Sequence, residues 1–255
     1  MVETSSNCHV PHLGGCLSCI DILVALYWQI MNIDPKAPKA DGSDKFILSK
    51  GHAAHALFTT LAFRGFYDKQ LLNHYGQEGS PFGEHPQPDC VPGVEIATGS
   101  LGHGLSFALG MALAAKIKQQ QQKYFVLLGD GEINEGSVWE AAMFAPQHQL
   151  DNVFAIIDFN KWQATGRSAE VMSLEPISNK WDAFGWHTFH VDGHSIEQLI
   201  SVLDQAVQIK DKPVAIVADT IKGKGVSFMQ DDNNWHYRIP TTEEVILAHK
   251  ELGLI

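Results

Sequence analysis

Cysteine is scarce. Four occur in 255 residues, at Cys8, Cys16, Cys19 and Cys90, too few for a disulfide-stapled scaffold. Basic residues are scarce too: 18 lysines and arginines stand against 29 aspartates and glutamates, a net charge of -11. That balance disfavours nucleic acid and anionic membranes, whose phosphates it would repel, but leaves room for a small phosphorylated ligand held by local contacts. No stretch approaches the roughly 18 apolar residues of a membrane span, and no charged-then-apolar leader opens the chain, so a cytoplasmic location is expected. Repeats and linkers are missing as well. A chain of this length that is 45% hydrophobic has enough apolar surface for one α/β core, so a single domain over 1–255 is expected.

Three of the cysteines crowd around His9 and His12. Cys8, His12, Cys16 and Cys19 admit a zinc reading with a C-x-x-C pair at the end. Leu17, Ile20, Leu23, Val24 and Tyr27, however, recur at helical spacing through the same stretch, which reads more simply as a helix carrying small buried thiols.

Helical patterns at about 15–31, 53–64, 101–119, 135–149, 195–209 and 241–251 alternate with apolar runs at about 45–49, 124–128, 153–159 and 213–219. That alternation predicts a doubly wound, mainly parallel sheet with helices on both faces. Pro81 to Gly93 is too rich in proline and glycine for regular structure. The stretch from Lys222 to Asn234, polar and glycine-bearing, reads as a flap.

Two apolar runs end in oxygen ligands. Tyr124–Leu128 leads into Gly129-Asp130-Gly131, and Val153–Phe159 leads into Asn160. In a parallel sheet both would emerge at the carboxyl edge, where such sheets bind ligands. A carboxylate and an amide oxygen at this spacing suit a magnesium diphosphate site, since a hard ion takes oxygen ligands and shares them with phosphate.

The span Gly129 to Asn160, with Asn7 to Ser18 and Leu48 to Gly51, resembles the cofactor-binding half of transketolases, which are thiamine diphosphate enzymes. Phe159 stands where the family motif usually has a first asparagine. The resemblance implies a thiamine diphosphate-binding fold, with Mg2+ (or Ca2+) held by Asp130, Asn160 and the carbonyl of Trp162. It also implies cofactor contacts from Gly129, Gly131, Gly99 and Leu101, the last two in Thr98-Gly99-Ser100-Leu101-Gly102-His103-Gly104. That loop departs from the family at Ser100 and His103. Glu135 matches a carboxylate that the family places near the subunit interface. Lys222 and Lys224 are read either as approaching a phosphate or as a solvated pair.

Four of the 13 histidines stand in contexts similar to transketolase motifs: His12, His52, His85 and His236. The chemistry implied is transfer of a two-carbon ketol unit from a ketose to an aldose, with protons moving near neutral pH. By resemblance, His52 and His236 move protons while His12 and His85 hold hydroxyls of the two-carbon unit. In this family a second domain supplies the glutamate that activates the pyrimidine and most substrate phosphate contacts. A partner carboxy-terminal subunit in an α2β2 assembly is therefore implied. Rival readings are the α subunit of a 2-oxo-acid dehydrogenase or acyloin enzyme, a split ligase for a specialised sugar or α-hydroxyketone, and a non-catalytic cofactor-binding paralogue.

Overall fold

In the computed structural model, which describes residues 1–255, five parallel strands form one sheet in the order β1-β2-β3-β5-β4. The strands are β1 (Lys45–Leu48), β2 (Tyr124–Gly129), β3 (Val153–Phe159), β4 (His187–Asp192) and β5 (Val214–Asp219). Around them lie α1 (Val2–Cys8), α2 (Leu13–Ala25), α3 (Ala54–Arg64), α4 (Gly104–Ile117), α5 (Gly136–Gln147), α6 (Ser168–Val171), α7 (Ile177–Ala183), α8 (Ile196–Ala206) and α9 (Thr242–Glu251).

The three central strands are apolar on both faces because both faces are covered. Phe125, Leu127, Phe154 and Ile156 point into a core shared with α2, α3 and α8. The alternate residues Val126, Leu128, Ala155 and Ile157 point into a second core shared with α4, α5 and α7. Strand order explains the faces taken by α4, α5, α7 and α8. The chain steps outward from β1 through β2 and β3 to β4 with α4, α5 and α7 on one face, then turns back through α8 to insert β5. A right-handed crossover running in the opposite direction must place its helix on the opposite face. The expected doubly wound sheet is therefore present.

Two expectations are corrected. Strand β4 escaped the sequence reading because it is an edge strand of mixed polarity, His-Thr-Phe-His-Val-Asp, with only Val191 buried. The second concerns the apolar run. Helix α2 continues through a wide turn at Leu26–Ile30, so that Leu13–Ile30 makes 18 residues of mean hydropathy 1.6, long and apolar enough to cross a membrane. Two thirds of that stretch is buried inside the fold (67%), against α3 and α8, as suits a core helix. Within it Cys16 and Cys19 are wholly buried. Burial pushes the Cys16 thiol up to about 11 and raises that of Cys19 further. Cys8 instead reaches the carbonyl of Asn73, and no group of three or more metal-binding side chains forms there.

Candidate active site

The carboxyl ends of β1, β2, β3 and β5 open into one cleft of about 560 Å3. Its floor is tied together by two buried acids that sequence reasoning passed over. Asp158, on β3, forms an ion pair with Lys50 beyond β1 and accepts hydrogen bonds from Ser18 on α2 (2.6 Å), from Asn160 (3.2 Å) and from Thr220 beyond β5. Burial alone would lower the basicity of Lys50 and raise that of Asp158. Their mutual attraction reverses both, so the pair stays charged. Glu132 accepts from the backbone of Gly129 (3.0 Å) and Gly102 (3.0 Å) and from the Ser49 hydroxyl, locking the ends of β1 and β2 to the loop before α4. The one hint in the sequence was an aspartate inside an otherwise apolar strand.

Every residue singled out for the site lines this cleft: His12, His52, His85, His236, Gly99, Leu101, Gly129, Asp130, Gly131, Glu135, Asn160, Trp162 and Lys222. His103 does not. It occupies the position before α4 at the surface, its side chain bonded to the carbonyl of Leu101 (3.0 Å) and to no helix N–H. Lys224 also stays outside. The solvated-pair reading is corrected for Lys222, which is buried and donates to Asn233 (2.8 Å) beside His236 (3.1 Å). Glycine is required at two neighbouring points. A Cβ on Gly99, whose φ is +139°, would lie 2.9 Å from the His85 ring, and one on Gly51 would lie 2.6 Å from the Gly99 nitrogen.

The imidazoles cluster. Ring centroids of His12 and His236 are 4.8 Å apart, with His52 at 5.4 Å from each. Burial, aided by the nearby lysines and neighbouring rings, lowers His236 to about 3 and His52 well below its usual value. His12 is lowered as well, by burial. All three are therefore neutral near pH 7, each with a donor and an acceptor nitrogen.

On the opposite wall, Asp130 accepts from the Gly131 backbone (2.9 Å) and the Ser168 hydroxyl (2.8 Å). Burial, with Asp158 nearby, raises it to about 6. Asn160 donates its amide to Asp158 and accepts from the backbone of Trp162 (3.1 Å), which fixes its oxygen toward the loop that follows. An under-compensated buried carboxylate, an oriented amide oxygen and a loop carbonyl make an all-oxygen donor set that fits a hard divalent cation. Lys222, lowered to about 8 by burial and by Lys50, adds a positive charge suited to a phosphate.

A further clasp joins the two walls. Arg167 grips Asp231 through both terminal guanidinium nitrogens (2.6 and 2.5 Å) while lying 3.8 Å from the Trp162 ring, and the indole of Trp162 donates to the same carboxylate (2.9 Å). The loop after β3 is thereby fastened to the segment carrying Lys222 and His236.

Residues 1–255 match the family model described as "Transketolase, thiamine diphosphate binding domain". The chain belongs to the transketolase family. It is 43% identical over 253 residues to an apulose-4-phosphate transketolase subunit of Phocaeicola vulgatus, covering 99% of this chain and 90% of that protein. It is 41% identical to 6-deoxy-6-sulfo-D-fructose transketolase subunit SqwG of a Clostridium species, covering 96% and 88%. Among solved structures, the transketolase of Campylobacter jejuni superposes with a TM-score of 0.91 at 32% identity and that of Leishmania mexicana with 0.92 at 26%. Both cover 99% of this chain, which spans only 40% and 39% of those longer transketolases. The thiamine diphosphate-binding α/β fold expected from the motifs is the fold of this transketolase-family chain.

Proposed function

We propose that this chain is the diphosphate-binding subunit of a two-subunit transketolase and moves a two-carbon ketol unit from a ketose to an aldose. The observation that carries the reading is a single cleft in which three neutral, touching imidazoles and His85 face an oxygen-donor loop, at the carboxyl edge of a transketolase-type sheet. Asp130, Asn160 and the carbonyl of Trp162 would hold Mg2+, with Lys222 and the backbone at Gly129 and Gly131 toward the diphosphate. The chemistry supplied by bound thiamine diphosphate is a nucleophilic carbon that adds to a ketone and splits the bond beside it. His52 and His236, each with one donor and one acceptor ring nitrogen, face the cleft where they would exchange protons with the sugar hydroxyls. His12 and His85 hold hydroxyls of the two-carbon unit.

The relatives of similar length are named as subunits, which supports a partner chain that completes the cofactor pocket, in an α2β2 arrangement with Glu135 toward the interface. Their names also favour a ketose carrying phosphate or sulfonate. The four cysteines are unpaired, in keeping with work in the reducing cytoplasm. Ketol-transfer assays on the purified chain with and without its partner test the proposal. Turnover is expected only with both, and robust turnover by this chain alone, with no second protein detected by mass spectrometry, would refute the split enzyme.

A further inference from the structure

Among the residues at the sugar end of the cleft is an acid that no motif singled out. Glu84 sits in the proline-rich loop before His85, and its side chain remains 57% exposed while the His12 side chain beside it is only 8% exposed. The Glu84 carboxylate lies 3.1 Å from His12 Nε2. The other ring nitrogen, Nδ1, is buried and makes no well-formed hydrogen bond, with the His236 backbone near the ring. An ionised carboxylate can only accept a hydrogen bond, so the nitrogen that meets it must be the one that carries the proton. The neutral ring therefore carries its proton on Nε2 and donates to Glu84.

This arrangement sets what the chain itself presents at the sugar end. His12, His52 and His236 are uncharged, no arginine lines the cleft, and Lys50 and Lys222 are engaged by Asp158 and by Asn233 with His236. Glu84 is left as an exposed carboxylate with its second oxygen unengaged. A carboxylate in that position is a strong acceptor for a hydroxyl and repels an anion.

The geometry points to Glu84 as a specificity residue: held by His12, it accepts a hydroxyl of the ketose and excludes an anionic group from the neighbourhood of the reacting ketone, so that the donor is a polyol neutral at that end. The inference rests on ketol transfer as the activity. Its test compares the wild type with Glu84→Gln and Glu84→Asp in the enzyme assembled with its partner, thiamine diphosphate and magnesium. The donors are erythrulose, which is neutral, and hydroxypyruvate, whose carboxylate adjoins the ketone.

The ratio of kcat/KM for erythrulose over hydroxypyruvate should fall about tenfold in Glu84→Gln, the value of one hydrogen bond to a charged group, and be retained in Glu84→Asp. An unchanged ratio, including an equal fall for both donors as a merely structural role would give, overturns the inference. A second arm needs neither partner nor turnover. Nitrogen NMR of His12 in the purified chain at neutral pH should show Nε2 protonated and Nδ1 bare, and a proton on Nδ1 would overturn the assignment. Failure of the wild-type assembly with either donor would count against ketol transfer itself, and the NMR arm would still decide the tautomer.

Discussion

At the scale of single residues, the site is built on charges taken out of water. Lys50 and Asp158 lie beneath the cleft at 1% and 0% side-chain exposure, and each is tolerable only because of the other. Lys50→Met should therefore cost about 3–5 kcal/mol, the usual penalty for stranding a buried partner; urea unfolding measures it, and a loss below about 1 kcal/mol would show that Asp158 is satisfied by its hydroxyl and amide donors alone. The histidines make a different prediction. His52→Ala or His236→Ala in the assembled enzyme should lower turnover by roughly 10² to 10⁴-fold with cofactor affinity kept, the span for a lost acid or base group. His190, on edge strand β4 and paired at the surface with Asp219, is the control. Equal small losses at all three positions would make the cleft histidines structural. The Gly-Asp-Gly turn, Asn160 and the four motif histidines were legible because each sits in a short local pattern. Lys50 with Asp158, 108 positions apart, and Glu84 with His12, 72 apart, were not, because only folding makes them neighbours.

At the scale of elements, sequence reading worked where burial is two-sided. Strands β1, β2, β3 and β5 are continuous apolar runs since helices cover both faces, and each was placed within about a residue or two. It failed at β4, where an edge strand carries polar residues, and at α1 and α7, whose seven residues each are too short to display a period. The flap from Lys222 to Asn234 was legible as irregular, yet its fastening to the loop after β3 through Asp231, Arg167 and Trp162 was not. That clasp yields a prediction of its own. Asp231→Ala should release the segment carrying Lys222 and His236, seen as faster limited proteolysis between 222 and 236, while the global unfolding midpoint stays nearly constant because a half-exposed pair contributes little to stability. Unaltered cleavage would mean that the remaining bonds, from Asn233 to the Ala164 carbonyl (3.1 Å), from Gly223 to the Gly14 carbonyl (2.9 Å) and from His12 to the His236 carbonyl (3.0 Å), hold the segment without the clasp.

At the scale of the whole molecule, buried neutral imidazoles make the fold acid-sensitive. His55 is enclosed against the ring of Tyr75 (5.0 Å) with neither nitrogen bonded, and burial lowers it from 6.5 to about 3. Between those two values the unfolded chain binds a proton that the native chain refuses, so stability is complete above about pH 6.5 and falls as pH drops toward 3. His55→Phe should flatten urea-unfolding stability between about pH 4.5 and 6 by about 1.4 kcal/mol per pH unit, and an unchanged slope would place the acid sensitivity elsewhere.

In the proposed function, the carboxyl edge of this sheet grips thiamine diphosphate through a metal on Asp130 and Asn160. The most direct measurement is calorimetric titration of thiamine diphosphate, with magnesium present, into the assembled enzyme carrying either wild-type chain or Asp130→Ala, with circular dichroism verifying the fold of both. Magnesium-dependent binding is expected for the wild type and none detectable for Asp130→Ala; cofactor affinity unchanged by the substitution would contradict a metal site at Asp130.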